Sequence, residues 1–166
     1  MKGKVEAVCL SEKKGTRKKN VGEARLIENF GIENDAHAGN WYRQVSFLAS
    51  ESIEKAKQKW NLKVSFGDFA ENIATSGVDL LALQIGDRLK IGNEIIIEIT
   101  QKGKKCHLGC EIMKISGRCI FPLEGLFGKV LKGGQVEVGQ DIEIQTKGKT
   151  ITVNQIPNGS TIIETA

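Results

Sequence analysis

The sequence predicts a mainly β protein that folds as a closed or nearly closed β-barrel with one or two short helices. Glycine is frequent and proline is rare, 19 against 2 in 166 residues, and glycine at this density favours tight turns between short strands. β-branched segments alternate with these turns over much of the chain, whereas the clearest helical pattern covers only residues 50–60. This succession is typical of a barrel rather than of a parallel α/β sheet.

The N-terminal half is predicted to begin with two strands. Residues 1–10 alternate weakly, and Val5, Ala7 and Cys9 fall on one side, which predicts a first strand with Cys9 packed in the core. A second strand is predicted at residues 22–29, after a basic segment.

The helix predicted at residues 50–60 has a polar start and one apolar face. Ser50 is a candidate N-cap. Ile53, Ala56 and Trp60 share a face, and lysines dominate the opposite side.

From residue 80 onward the pattern is strand and turn. The turns at residues 85–87 and 138–141 resemble each other, and each is expected to lead into a barrel strand. The further elements predicted here are strands at residues 94–100, 142–144 and 150–153 and a short helix at residues 106–115.

We expect one domain, with residues 1–146 as its body and residues 147–166 as a C-terminal strand and tail of the same domain. The N-terminus lacks an apolar signal segment, and the longest apolar run, residues 80–83, is too short for a membrane span. These features predict a cytoplasmic protein with reduced cysteines.

The net charge of +4 is mild, and a basic segment carries much of it. Such a segment is expected to be a solvated loop, and less often an anion or nucleic-acid contact. Aromatic residues make up only 5% of the chain, so nucleic-acid binding is not expected. The basic residues of this segment are Lys13, Lys14, Arg17, Lys18 and Lys19.

Three of the four cysteines and one of the two histidines fall within fourteen positions, from Cys106 to Cys119. A zinc site could use Cys106, His107, Cys110 and Cys119 as its four ligands. The adjacent Cys106 and His107 are poorly spaced for binding one ion. A packed, inert cluster is the second alternative. The third, which we favour, is a reactive or cofactor-ligating thiolate at Cys106, because three upstream lysines favour the thiolate form. His107 could assist it, and Cys110 could act as a second thiolate.

Two polar segments further upstream are candidates for a binding pocket. His37 stands in the glycine-flanked loop at residues 31–39 and is either an acid, base or ligand or part of a turn in which Asp35 caps amides. Arg43 offers a planar fork of donors for phosphate or carboxylate, or else a surface salt bridge.

A third polar segment, residues 67–73, interleaves polar and apolar residues after a glycine. Glu71 and Asn72 could position a ligand there, and capping and turn chemistry explain the pattern equally well.

Taken together, these segments resemble the MOSC family, named for the molybdenum cofactor sulfurase C-terminal domain, and in particular its small stand-alone bacterial members. The resemblance covers roughly residues 4–145, with one departure at Asn34, where a glycine is expected and where asparagine tolerates the left-handed conformation. The matching segments are GIENDAHAG, RQVSFLASESI, GDFAENI, LQIGDRLKIG, EITQKGKKCHLGCEI, CIFPLEGLFGKVLKGG and VGQDIEI.

The resemblance implies a β-barrel of the pyruvate-kinase-barrel type and a link to the molybdenum cofactor. By position, Cys106 would carry persulfide sulfur taken from a pyridoxal-phosphate cysteine desulfurase, or would ligate molybdenum directly. The resemblance also implies molybdenum cofactor enzymes or cofactor biosynthesis proteins as partners. The residues expected to bind the anionic pterin cofactor are His37, Arg43, Glu71, Asn72 and Lys104.

The leading hypothesis is therefore a sulfur-carrier or molybdenum-cofactor-binding domain that acts through Cys106. A small molybdenum-dependent reductase of N-hydroxylated compounds is one alternative. A non-catalytic anion-binding module that uses the basic segment at residues 13–19 is another.

Overall fold

The computed structural model describes residues 2–105 and 119–145, together with the backbone of residues 154–155 and 161–162. Its helices in these ranges are α1 (Ser50–Trp60) and the short α2 (Phe121–Glu124), with a 3-10 turn at Leu80–Ala82. The strands are β1 (Lys2–Leu10), β2 (Lys19–Asn20), β3 (Glu23–Ile27), β4 (Gly31–Ile32), β5 (Val45–Ala49), β6 (Ile73–Ser76), β7 (Arg88–Ile91), β8 (Ile95–Lys102), β9 (Leu126–Lys132), β10 (Gly134–Glu137), β11 (Asp141–Gln145), β12 (Asn154–Gln155) and β13 (Thr161–Ile162).

Seven of these strands close into a barrel, which confirms the predicted fold class. They follow the order β11, β7, β8, β9, β5, β6 and β1, and β1 pairs back onto β11. The β5–β6 pair is parallel, and the other pairs around the ring are antiparallel. Strand β2 extends the edge of β1, while β10, β3 and β4 form a separate small sheet.

The two similar turns do lead into barrel strands, as predicted. The first precedes β7 and the second precedes β11, and these two strands are neighbours in the barrel, with Ile91 opposite Ile142. Both isoleucines are fully buried.

Alternation along the strands divides the core into two clusters. Val45 and Phe47 of β5 point into the barrel, whereas Leu48 points outward and packs with Ile53 and Ala56 of α1. The barrel interior is filled with aliphatic side chains, among them Val5, Val8, Ile73, Leu89, Ile91, Ile95, Ile97, Ile99, Leu126, Val130 and Ile142. Cys9 is fully buried, as expected. The predicted shared side is wrong, because the register of β1 shifts between Val5 and Ala7, so that Val5 packs in the barrel interior and Ala7 and Cys9 pack in the outer cluster.

Helix α1 has the predicted bounds and buried face, but its predicted cap is wrong. Ala49, still in an extended conformation at the end of β5, occupies the N-cap position, and no side chain caps the helix. Ser50 is already the first helical residue, so its side chain comes too late in the chain to cap. The helix ends at Asn61, which adopts a left-handed conformation and donates its N–H to Lys57 O.

The second predicted strand is shorter in the structure, from Glu23 to Ile27, because residues 28–30 form a turn in which Asn29 has a φ of 52°. The basic segment is exposed at Lys13, Lys14 and Arg17, but the prediction of a solvated loop is wrong for Lys18, which is buried.

The helix predicted at residues 106–115 and the strand predicted at residues 150–153 lie outside the described residues. In the part of the chain that is described, no helix is long and apolar enough to cross a membrane.

Candidate functional site

The loop between β4 and β5 meets the end of β8 and helix α2 on the outer side of the barrel. Thr100 Oγ1 donates to Tyr42 O in that loop. After β8, the chain is attached to α2 through the amides of Gly103 and Lys104, which donate to Gly125 O and Pro122 O at 2.7 and 3.1 Å. Cys106 comes two residues after Lys104 in the sequence.

Arg43 lies at the centre of this surface, among three aromatic rings. Its Cζ is 5.1 Å from the ring centroid of Phe127, 5.5 Å from that of Tyr42 and 5.9 Å from that of Trp41. Its Nε donates to Gln101 Oε1 at 3.0 Å. No carboxylate of the described residues forms an ion pair with Arg43, so the surface salt bridge considered as an alternative is not found there.

Lys104 extends the same aromatic surface toward α2. Its Nζ is 5.4 Å from the ring centroid of Phe121, and the ring centroids of Phe121 and Phe127 are 5.2 Å apart. Lys14 adds a third cation, 4.9 Å from the ring centroid of Trp41. We call Lys14, His37, Arg43 and Lys104, with the rings between them, the cationic pocket.

Lys102, although close in sequence, does not belong to this group. Its Nζ donates to Leu81 O at 3.0 Å, beside the 3-10 turn.

Beneath the pocket, a buried cluster holds His37 in place. Lys18 Nζ lies 2.8 Å from Asp35 Oδ1 and 3.1 Å from His37 Nδ1. The two oxygens of Asp35 also accept the amides of Ser11 and His37, at 3.0 and 3.1 Å. The prediction that Asp35 caps backbone amides is therefore confirmed, and Trp41 Nε1 adds a bond to His37 O at 2.8 Å.

The environment keeps His37 neutral at pH 7. The pKa of His37 is lowered to about 4, chiefly by burial and then by the positive charge of Lys18, which outweighs the opposing effect of Asp35. The positive charges of Lys14 and Lys104 act on the pKa of the ring in the same direction. A neutral imidazole offers one donor and one acceptor.

Glu71 lies behind this cluster, inside the fold. Its carboxylate accepts the amides of Gly67 and Phe69 at 2.8 and 3.2 Å, and its side chain is fully buried. Burial raises the pKa of Glu71 to about 7, although the amide of Gly67 lowers it. Gly67 has a φ of 94°, and a Cβ there would lie 2.1 Å from Lys18 O, so glycine lets this turn pack against the backbone of Lys18.

Asn72 is also fully buried, and its side chain links two barrel strands. Its Oδ1 accepts the amide of Ser46 at 2.9 Å, and its Nδ2 donates to Cys9 O at 3.0 Å. The structure thus brings His37, Arg43 and Lys104 together at one surface and places Asn72 in the interior. The predicted cofactor contacts of all these residues stay predictions.

The predicted catalytic residues Cys106, His107 and Cys110 lie outside the described residues. Cys119 is partly buried and packs against the outer core cluster, as expected for an apolar environment. Within the described ranges, no group of three His, Cys, Asp or Glu side chains could hold a metal ion.

Sequence reasoning did not single out Trp41, and it named Lys14 and Lys18 only as part of the basic segment considered as an anion contact. Lys18 stands in a run of basic residues that are otherwise exposed, and nothing in its neighbours distinguishes it. Its burial follows from contacts with Asp35, 17 residues away.

The chain is similar to known proteins in sequence and in fold. The family model described as MOSC domain matches residues 34–143. Among solved structures, YuaD from Bacillus subtilis superposes with a TM-score of 0.73 at 19% identity, over 89% of this chain and 97% of that one.

Two YiiM structures are also similar. YiiM from Geobacillus stearothermophilus gives a TM-score of 0.68 at 16% identity, over 89% of this chain and 77% of that one. YiiM from Escherichia coli gives a TM-score of 0.65 at 19% identity, over 92% of this chain and 74% of that one. At these identities the likeness concerns the fold. No curated protein sequence matches the chain.

Proposed function

Because the chain belongs to the MOSC domain family, we propose that it binds the molybdenum cofactor at the cationic pocket, with Cys106 as the sulfur that ligates molybdenum or carries persulfide sulfur for it. MOSC domains are associated with this cofactor.

The observation that carries the proposal is the meeting of three cations at one surface, beside the segment that leads to Cys106. Lys14, Arg43 and Lys104 come from three distant parts of the chain. Lys14 and Arg43 lie over the ring of Trp41, and Lys104 lies over Phe121, which packs against the ring of Phe127 below Arg43. Clusters of this kind suit an anionic ligand, because guanidinium and ammonium groups form strong, charge-assisted hydrogen bonds with phosphate.

The chemistry of the pocket fits the pterin cofactor, which carries a phosphate and a dithiolene. Arg43 presents a planar fork of donors whose Nε is already committed to Gln101, so the remaining N–H groups are suited to a phosphate. Lys104 adds a point charge, and the half-buried ring of His37 adds a neutral polar group. Bound cofactor would supply the redox-active metal, while these side chains would bind and orient it.

Cys106 is assigned the sulfur role because it follows the lysine-rich segment directly. Lys104, two residues before it in the sequence, favours the thiolate, which is the form that ligates a metal or accepts sulfur. For persulfide loading, the proposed donor is a pyridoxal-phosphate cysteine desulfurase, whose own persulfide would pass its terminal sulfur to the Cys106 thiolate and leave a thiolate on the donor.

The test is to purify the protein from a host that makes the molybdenum cofactor and to measure molybdenum, pterin and intact mass. We expect stoichiometric molybdenum and pterin, or one additional sulfur atom on Cys106. Cys106→Ser should abolish both signals, and Cys119→Ser should leave them unchanged. Equal behaviour of the two variants would contradict the role of Cys106.

The pocket is tested separately by Arg43→Gln, with the exposed Arg25→Gln as the matched control. Loss of a charge-assisted hydrogen bond costs about 1.5–3 kcal/mol, which corresponds to at least a tenfold loss of cofactor retention. Equal retention in the two arginine variants would contradict the proposed pocket.

A further inference from the structure

The buried contacts of Lys18 determine which nitrogen of His37 carries the proton. Lys18 Nζ is within hydrogen-bond distance of three groups, Asp35 Oδ1 at 2.8 Å, Ser11 Oγ at 3.1 Å and His37 Nδ1 at 3.1 Å. An ammonium group has three N–H donors and no acceptor. If each of the three neighbours accepts one hydrogen bond, all three N–H groups of Lys18 have a partner.

Two of the three neighbours can be assigned as acceptors independently. Ser11 Oγ donates its own hydrogen to Lys13 O at 3.0 Å, so it must accept from Lys18. Asp35 receives the amides of Ser11 and His37 in addition to Lys18, a set of donors that matches an ionised carboxylate, which only accepts. Its negative charge favours the ammonium form of Lys18, which opposes the lowering of the Lys18 pKa by burial.

The third neighbour, His37 Nδ1, must then accept as well, since a charged Lys18 cannot accept from it. In a neutral imidazole with Nδ1 as the acceptor, the proton is on Nε2. The charged groups around the ring are Lys18, Asp35, Lys14 and Lys104, and the three lysines together disfavour a second proton.

Resting on the proposed anion pocket, we infer that Lys18 is a positioning residue that holds His37 as its neutral Nε2–H tautomer, so that this ring donates a hydrogen bond to an oxygen of the anionic ligand. His37 is then neither a general base nor a cation at neutral pH. Within the described residues Nε2 has no hydrogen-bond partner, and the ring is only partly buried, which suits a donor for a ligand.

Nitrogen-15 NMR of histidine-labelled protein tests the tautomer directly. The chain has two histidines, so a His107→Gln variant assigns the spectrum. At pH 7 and without ligand, we expect His37 to show a protonated Nε2 and an unprotonated Nδ1. A proton on Nδ1 of His37, on both of its nitrogens or averaged between them overturns the inference.

Two lysine variants separate positioning from general electrostatics. Lys18→Met should produce a mixture of tautomers, because the donor to Nδ1 is lost. Lys14→Met removes a cation whose charge also lowers the pKa of His37 but should leave the tautomer unchanged. If both variants fold and both show a mixture of His37 tautomers, or if neither does, the positioning role of Lys18 is contradicted.

The ligand half of the inference is tested by titration with pyrophosphate as the probe. We expect the Nε2–H signal of wild type to shift to saturation. His37→Gln, which keeps a neutral N–H donor, should bind within about threefold of wild type, and His37→Leu should bind about tenfold more weakly. Equal losses of pyrophosphate affinity in the two variants overturn the role of His37 as a hydrogen-bond donor. The expected tautomer with no pyrophosphate binding contradicts both the donor role and the proposed pocket, whereas the wrong tautomer leaves the pocket proposal standing.

Discussion

Arg43 Nε donates a hydrogen bond to Gln101 Oε1 at 3.0 Å, although 58 residues separate them in sequence. Gln101 in turn donates through Nε2 to Gly103 O at 2.8 Å. One side chain therefore connects the guanidinium of the cationic pocket to the segment that precedes Cys106. Since a guanidinium held in one orientation loses less entropy on binding an anion, Gln101 should contribute to affinity without touching the ligand.

Gln101→Leu is expected to weaken pyrophosphate binding about three- to tenfold, because Arg43 loses its orienting acceptor while its charge remains. Isothermal titration calorimetry measures the change. The control is Gln58→Leu on the exposed face of α1, which should bind as wild type does. Equal affinity of the two leucine variants would mean that the contact with Gln101 does not contribute to binding.

Asn72→Ala is expected to destabilise the barrel by about 2–4 kcal/mol, since it leaves the buried amide of Ser46 and carbonyl of Cys9 without their partner. Urea denaturation with linear extrapolation measures the free energy of unfolding. Asn93→Ala, in the exposed turn before β8, should change it by less than about 0.5 kcal/mol. Unchanged stability together with loss of cofactor would instead favour the ligand contact predicted for Asn72.

The barrel could be predicted because its signals are local. Alternation, glycine turns and the helical face of residues 50–60 each depend on neighbours in the sequence, and the core follows from them. The cap of α1 was missed because Ala49 stays extended at the end of β5. That conformation follows from the pairing of β5 with β6, in which Ala49 lies opposite Thr75, and not from the residue types at the start of the helix.

The sequence could predict which residue types belong to the site, but not where their side chains lie in the fold. The family resemblance indicated His37, Arg43 and Lys104, which meet at one surface, but also Asn72, whose polar atoms are used inside the fold. Polar residues in a glycine-led turn look the same whether they face a ligand or the core. The burial of Lys18 depends on Asp35 and on the backbone approach that Gly67 allows, and both are tertiary contacts.

Glu71 should make the stability of the protein decrease as the pH rises from 4.5 to 7. Burial raises the pKa of Glu71 to about 7 in the folded state, from an ordinary value of 4.5. The folded state therefore holds more protons in this window, so the contribution of Glu71 is fully present below pH 4.5 and is lost as the pH passes 7. A shift of this size is worth ~3 kcal/mol.

His37 acts in the opposite direction over an overlapping range, because burial lowers its pKa to about 4 from 6.5. Its contribution is present above pH 6.5 and is lost as the pH falls through 4. The difference between wild type and Glu71→Gln isolates Glu71, since glutamine does not titrate. We expect the variant to gain ~3 kcal/mol relative to wild type between pH 4 and pH 8. The exposed Glu28→Gln should give a flat difference, and a flat difference for Glu71→Gln would contradict the assigned pKa.

Cys9 is expected to be unreactive in the folded protein, which distinguishes it from a sulfur that serves chemistry. It is fully buried, and burial raises the pKa of its thiol well above the ordinary value, with the negative charge of Glu71 acting in the same direction. Alkylation by iodoacetamide should therefore proceed only through unfolding, at least ~100-fold more slowly in buffer at pH 8 than in urea. Peptide mapping by mass spectrometry measures each cysteine separately, and the partly exposed Cys119 serves as the internal comparison. Labelling of Cys9 in buffer as fast as that of Cys119 would show that the outer cluster opens without global unfolding.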